Sequence, residues 1–327
     1  MTMPISRRPL GNSDTFLSAI GLGCWQFSLG KGLVGKFWDV LDKERIQEIV
    51  DESLQNGINW FDTAEIYGRG ESERALSQAL LANGCQPGEV FIASKWWPIG
   101  RRASHILSSI QERQECLAPY PIDLYQIHQP YAFSSIRSQM DAMAKLVEKG
   151  AIRYVGVSNF NAKQMRIAHQ ILSKYGIKLV SNQVKYSLLD RRIERNGIMD
   201  VAKELKISII AYSPLEQGLL TGRFHENPSA STTLSGPRKF QGKFKRQNLL
   251  TTKPLIDVLR SLTEKYQATV SQLALNWLIT AHGETVLAIP GASKVKQARD
   301  NAGSLQFQLE PDDIEKIDKI SKSIQNR

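Results

Sequence analysis

The feature that most limits the folds open to this chain is a rhythm. Short apolar runs alternate with amphipathic stretches along its length. Residues 19–24, 58–61, 90–94, 123–127, 152–157, 179–184, 208–211 and 286–289 read as strands. Most are apolar throughout, as parallel strands covered on both faces are. Residues 43–55, 71–82, 102–116, 134–148, 162–173, 192–205, 271–281 and 294–301 read as helices. Asp42 and Asn161 stand where N-caps belong, and Asn56-Gly57 and Lys149-Gly150 are stop signals. Eight strands alternating with eight helices predict a closed α/β barrel, a (β/α)8 TIM barrel, over an open doubly wound sheet. Gly21-Leu22-Gly23-Cys24-Trp25-Gln26 agrees, because a dinucleotide-binding fingerprint G-x-G-x-x-G needs glycine where Gln26 stands. All 327 residues fit one such domain.

Three segments lie outside the eight units. Residues 7–18 read as a hairpin that plugs the barrel bottom. Residues 222–253 are a long polar insertion, followed by an extra helix at 254–266. Residues 311–321 read as a C-terminal helix opened by Pro311-Asp312-Asp313.

The bulk numbers exclude several classes. Cys24, Cys85 and Cys116 form neither a metal pattern nor a disulfide framework, so a reducing cytoplasm is expected. The first residues lack the apolar stretch of a signal peptide, and no apolar run approaches the ~20 residues of a membrane span. The net charge of +10 is not interleaved with aromatics in a nucleic-acid module, so no nucleic-acid partner is expected. Without a coiled-coil pattern, a monomer is the default.

In a barrel of this kind reactive groups lie at the C-terminal ends of strands. There the sequence places Asp62 and Tyr67 after the second strand, Lys95 after the third and His128 after the fourth. Taken singly each has a structural reading: Asp62 as a cap, Lys95 solvated, His128 and Tyr67 as packing. Taken together they support proton transfer. A phenol of pKa about 10 is a weak acid, and a cation in reach lowers that value by roughly one to three units. Lys95 supplies the cation, Asp62 holds it, and His128 orients a carbonyl. Tyr67 then protonates the carbonyl oxygen as hydride reaches the carbon. No metal is expected.

Phe61-Asp62-Thr63-Ala64-Glu65-Ile66-Tyr67-Gly68, Ser94-Lys95-Trp96 and Leu124-Tyr125-Gln126-Ile127-His128 resemble the signatures of the aldo-keto reductase family. Gly156-Val157-Ser158-Asn159-Phe160, Asn182-Gln183-Val184, Ala211-Tyr212-Ser213-Pro214-Leu215 and Ile289-Pro290-Gly291-Ala292-Ser293 extend the likeness over nearly the whole chain. The resemblance implies carbonyl reduction with NADPH. It implies that Ser158, Asn159 and Gln183 hold the nicotinamide carboxamide and that Tyr212 stacks under the ring. It places Ser213, Pro214, Leu215, Gln217, Gly218 and Arg223 along the pyrophosphate. Gly291, Ser293, Lys294, Gln297 and Asn301 stand at the adenosine end, and Cys24, Trp25 and Asp62 also border the cofactor. Some branches of the family carry an arginine where Ser293 or Gln297 stands here. Lys294 and Ser293 start the last helix and Arg299 stands near its end; Lys294 then carries more of the preference for NADP, with NAD the second choice, or the enzyme tolerates both cofactors. Trp25 and Trp96, with Trp97 and the Phe37-Trp38 loop, are expected to wall a small-molecule carbonyl substrate.

The insertion holds five basic residues between 238 and 246 and no acid between 227 and 252. It reads as a solvated loop, or as a mobile clamp over the cofactor. Two functional alternatives remain open: a cofactor-sensing regulator resembling potassium-channel β subunits, and a polyol or alcohol dehydrogenase working oxidatively.

Overall fold

The computed structural model describes residues 7–234 and 236–325. A hairpin of β1 (Arg7–Pro9) and β2 (Phe16–Ser18) comes first. Eight parallel strands follow, adjacent in chain order: β3 (Leu22–Gly23), β4 (Trp60–Asp62), β5 (Phe91–Trp96), β6 (Leu124–Ile127), β7 (Tyr154–Ser158), β8 (Leu179–Lys185), β9 (Ser208–Tyr212) and β10 (Val286–Ala288). Parallel bridges Ile20–Ala288 and Gly23–Gly291 join the first to the last. The Gly21 N–H donates to the Ala288 carbonyl at 2.8 Å across that seam. The sheet therefore closes into the barrel that the rhythm predicts.

The helices are α1 (Gly32–Gly35), α2 (Lys43–Gln55), α3 (Glu71–Ala82), α4 (Ser104–Leu117), α5 (Ile136–Glu148), α6 (Ala162–Ser173) and α7 (Ile198–Glu204). They continue with α8 (Arg223–Glu226), α9 (Arg246–Ser261), α10 (Thr263–Tyr266), α11 (Val270–Thr280), α12 (Val295–Gly303) and α13 (Pro311–Gln325). Both predicted caps are made. Asp42 accepts the Arg45 N–H at 2.7 Å, and Asn161 forms a capping box with Gln164. Among the described residues no helix is long and apolar enough to cross a membrane.

Side chains inside the barrel change character with height. Trp60, Ala93, Leu124, Val180, Ile210 and Leu287 fill the lower interior with Leu10 and Leu17 of the hairpin, which plugs the bottom. The buried Arg8 pins that plug by donating from one nitrogen to the carbonyls of Ile279, Gly283 and Val286 at 2.7–3.0 Å. Two residues further along three of these strands, on the same face, stand Asp62, Lys95 and Gln126. The period of two thus lays a polar layer on an apolar floor. Gly156 keeps space for it: a Cβ there would come within 2.9 Å of the Gln126 side chain and 2.4 Å of Ser181 Oγ.

The structure departs from the sequence reading in three places. The helix expected at 192–205 splits into a turn at Arg192–Glu194 and α7, because Gly197 adopts φ 82° between them. The extra helix expected from Pro254 begins instead at Arg246. Leu249, Leu255, Ile256 and Leu259 are all buried along it, so the apolar stripe crosses Pro254 and outweighs the one hydrogen bond the ring removes. The insertion is not a bare loop. Leu219, Phe224, Leu234, Phe244 and Leu249 give it a small apolar core of its own.

Candidate active site

Asp62 ends β4, Lys95 lies near the end of β5, and His128 follows β6. Adjacent parallel strands bring their tips together, so the three meet above the apolar floor. Tyr67 reaches the same point from the turn after β4, where its N–H bonds the Ala64 carbonyl at 3.0 Å. Asp62 and Lys95 form a hydrogen-bonded ion pair and are both buried. The Lys95 ammonium also donates to the Thr63 carbonyl at 2.8 Å and lies 5.1 Å from the centre of the Tyr67 ring. His128 meets that ring edge-on, with centroids 5.8 Å apart.

Burial works against the Lys95 ammonium, but Asp62 and Tyr67 outweigh it and its pKa ends above the ordinary lysine value. Burial, seconded by the Lys95 charge, pushes His128 well below the usual imidazole range. The ring is therefore neutral near pH 7. Its Nδ1 is buried and has no partner among the described residues. Tyr67 corrects the sequence reading. Lys95 does lower its pKa, by charge and hydrogen bonding, yet burial raises it more and the net shift is upward. The phenol is held protonated rather than sharpened as an acid.

The second Asp62 oxygen accepts from Gln183 Nε2 at 2.8 Å and Gln126 Nε2 at 3.2 Å. Gln126 was absent from the sequence-level set, although it shares a strand face with His128, two residues away. Gln183 ties the tetrad to the tips of β7–β9. Ser158 Oγ donates to the Gln183 carbonyl at 2.8 Å. Asn159, at φ 61°, donates to the His128 carbonyl at 3.2 Å and accepts from the Tyr212 hydroxyl at 3.0 Å. Ser158, Asn159, Gln183 and Tyr212 thus form one network beside the tetrad. Its amides and hydroxyls can pair with an amide group, and the half-buried Tyr212 ring offers a face for an aromatic ring.

Past β9, Ser213, Pro214, Leu215, Gln217 and Gly218 make a tight turn, with Ser213 at φ 51°, Gln217 at φ 58° and Gly218 at φ 95°. The buried Gln217 Oε1 has no partner among the described residues. Arg223 follows with its guanidinium over the Phe224 ring. Past β10, Gln297 Oε1 accepts from the Ser293 N–H at 2.7 Å, and Asn301 reaches the Gly291 carbonyl at 3.4 Å. Two cations near this end are already paired: Arg299 with Glu52 on α2 and Lys296 with Asp300. Lys294 makes no ion pair among the described residues. Arg299 is thus withdrawn from the part the sequence reading allowed it.

Two other expectations shift. The Cys24 side chain is fully buried with its thiol toward the Leu22 carbonyl at 3.5 Å. Its N–H donates to the Asp62 carbonyl at 2.8 Å and its carbonyl accepts from Ser72 Oγ at 2.6 Å, so its polar groups are all engaged within the barrel. Trp96 is fully buried in the layer between strands and helices, with the Arg101 guanidinium over its ring. Strand alternation puts Trp97, not Trp96, on the side of Lys95, and Trp97 meets His128 edge-on at 5.2 Å. Glu65 fixes that turn by accepting the Trp97 N–H and pairing with Arg101. Across the mouth, Trp25 stacks on Phe37 at 4.7 Å and on Tyr67 at 5.9 Å, with Trp38 edge-on.

The insertion docks on this wall. The Arg238 guanidinium lies 4.3 Å over Trp38. Gly236 packs so tightly that a Cβ would come within 2.7 Å of the Lys36 carbonyl oxygen. Lys243 pairs with the buried Glu216 at 3.1 Å, and Phe244 packs on Phe224. The basic stretch thus contacts the loop after β3 through Arg238 and Gly236 and the turn after β9 through Lys243.

Residues 19–322 match the model of the Aldo/keto reductase family. An uncharacterized oxidoreductase of Mycobacterium tuberculosis is 36% identical over 90% of this chain and 86% of its own. The NADH-specific methylglyoxal reductase of Escherichia coli is 29% identical over 97% of this chain and 98% of its own. Among solved structures, the glycerol dehydrogenase of Gluconobacter oxydans superposes with a TM-score of 0.84 at 27% identity, covering 99% of this chain and 98% of that one.

Proposed function

The chain belongs to the Aldo/keto reductase family, and on that premise we propose that it reduces small aldehydes and ketones with NADPH, Tyr67 giving the proton. The observation that carries this reading is the meeting of Tyr67, the buried Asp62–Lys95 pair and a neutral His128 at one strand-tip centre. When bound, the nicotinamide dinucleotide supplies the hydride. Ser158, Asn159 and Gln183 orient its carboxamide, and Tyr212 offers the face on which its ring rests. Neutral His128 donates a hydrogen bond to the substrate oxygen and fixes the angle of approach. The Tyr67 hydroxyl gives its proton to that oxygen as negative charge develops there. Lys95, held by Asp62, stabilises the phenolate left behind.

The raised Tyr67 pKa supports reduction. A group that must donate has to be protonated in the resting enzyme. Its partner becomes an alkoxide, about as basic as hydroxide, whose conjugate acid has a pKa of roughly 15.7. Transfer therefore runs downhill even from a phenol above 10. Oxidation of an alcohol needs the phenolate instead, which this site holds back near neutral pH. The 2′-phosphate of NADP finds one free cation in this reading, Lys294, at the start of α12. The stacked Trp25 and Phe37 suit aromatic or aliphatic substrates.

The test is NADPH oxidation, followed optically across an aldehyde panel, for the native protein and Tyr67→Phe. The variant keeps its packing and its cofactor affinity and loses turnover by about 10²–10⁴-fold. A fully active Tyr67→Phe would overturn the proton assignment.

A further inference from the structure

Behind the tetrad lies a second buried charged group that the reaction does not use. Strand alternation turns Ser94 away from Lys95, out of the barrel interior and into the layer beneath α3 and α4. There the Ser94 hydroxyl donates to one Glu73 oxygen at 2.5 Å, and the Arg113 guanidinium of α4 donates to the other at 2.6 Å. All three residues are buried, and the other acid on Arg113 is the exposed Glu112. Burial raises the Glu73 carboxyl to about 7, against the pull of Arg113 and Ser94. Gly70 leaves the guanidinium its room: a Cβ there would come within 3.1 Å of an Arg113 nitrogen. Buried ion pairs seldom stabilise a fold more than apolar side chains of the same volume would. What such a pair fixes is the relative placement of the elements that carry it.

Those elements carry the proton donor and its cation. Glu73 stands in the first turn of α3 beside Ser72, whose N–H donates to the Tyr67 carbonyl at 3.2 Å. The Ser72 hydroxyl donates to the Cys24 carbonyl at 2.6 Å and accepts from the Thr63 hydroxyl at 2.8 Å. The Thr63 carbonyl in turn accepts from the Lys95 ammonium at 2.8 Å. One end of the tie thus holds the Tyr67 turn, and the other holds the strand of Lys95. From this geometry we infer that Glu73 is a positioning residue: through Ser94 and Arg113 it locks the first turn of α3 to β5 and so sets the Tyr67 hydroxyl against the Lys95 ammonium. The inference rests on the carbonyl-reducing reading of the barrel mouth and adds to it a residue outside the barrel interior. A proton donor works only within hydrogen-bond reach of its acceptor, and a misplacement of about 1 Å from a remote change can cost about 10²-fold in rate.

Glu73→Leu/Arg113→Met exchanges the pair for apolar groups of similar volume, which leaves stability close to native. Ser94→Ala cuts the tie at β5, and Ser94→Thr keeps its hydroxyl. The full chain with NADPH is followed in single turnover on a neutral aldehyde, beside NADPH affinity from fluorescence titration. The double variant and Ser94→Ala bind NADPH as the native protein does and transfer hydride about 10–10²-fold more slowly, and Ser94→Thr recovers most of the rate. A native rate in the folded double variant or in Ser94→Ala would overturn the assignment, as would equal losses in Ser94→Ala and Ser94→Thr. If the double variant does not fold, the two Ser94 variants decide. If the native protein reduces no aldehyde, the reductase reading fails instead. The tie is then judged without cofactor or turnover, by hydrogen exchange of the Ser72 amide against the Gln164 amide that Asn161 caps on α6. Exchange about tenfold faster at Ser72 alone in Ser94→Ala supports the tie; no change there, or equal acceleration at both amides, refutes it.

Discussion

Replacing Asp62 with asparagine keeps the shape of the side chain and removes its charge. Lys95 remains fully buried, with the Thr63 carbonyl as its other acceptor. The ammonium then has two courses. It can stay charged, at the roughly 3–5 kcal/mol typical of a broken buried pair. It can instead shed its proton on folding. From an ordinary lysine pKa near 10.4, that costs about 1.36 kcal/mol per pH unit below it, or about 4 kcal/mol at pH 7.5 and about 2 kcal/mol at pH 9. The cheaper course sets the loss, so the deficit shrinks as pH rises. In the native protein Asp62 and Tyr67 hold the Lys95 pKa up against burial. That contribution is full below the unfolded-lysine pKa and is lost only as pH climbs through the folded one. In the variant the folded pKa is depressed, and stability rises with pH until unfolded lysine also deprotonates. Urea unfolding of both proteins at pH 7.5 and pH 9 measures the difference, and groups common to both cancel. A deficit under about 1 kcal/mol at pH 7.5, or one that grows toward pH 9, would refute the buried-ammonium argument.

Other outcomes follow from the same contacts. Lys294→Ala lowers kcat/KM for NADPH by about tenfold and leaves NADH unaffected, as loss of one charge-assisted phosphate contact predicts; steady-state kinetics with both cofactors checks it. Phe244→Ala removes a buried ring from the small core of the insertion and costs about 3 kcal/mol or more locally. Trypsin then cuts the basic 238–246 stretch faster than in the native protein, and equal rates would mean that the stretch is not held by Phe244. Because burial holds Tyr67 above its ordinary value of 10, kcat/KM for reduction declines on the alkaline side only above pH 10. A fall near pH 8 would show that the ammonium governs the phenol more than burial does.

Much of this molecule was legible before any coordinates. The alternation of apolar runs and amphipathic stretches dictated a parallel sheet wrapped in helices. The strand-tip rule then placed Asp62, Lys95 and His128 on one rim, with Tyr67 in the turn beside them. Caps at Asp42 and Asn161 were readable because they depend on residues three apart. Gln126 was legible in principle, since period two puts it with His128, and the same rule would have exchanged Trp96 for Trp97.

What the sequence could not carry was anything set by many distant groups at once. The acidity of Tyr67 turns on how far the surrounding protein desolvates its hydroxyl, and that collective quantity reverses the sign a single neighbouring lysine suggests. Arg299 looked free for a phosphate until folding brought Glu52, 247 residues away, against it. The insertion looked solvated because its apolar residues are few. Only the fold gathers Phe224, Leu234, Phe244 and Leu249 into a core and sets Arg238 on Trp38. Local periodicity and side-chain chemistry decide elements and the order of the rim. Burial, long-range pairing and the electrostatic balance they create exist only once the chain has closed on itself.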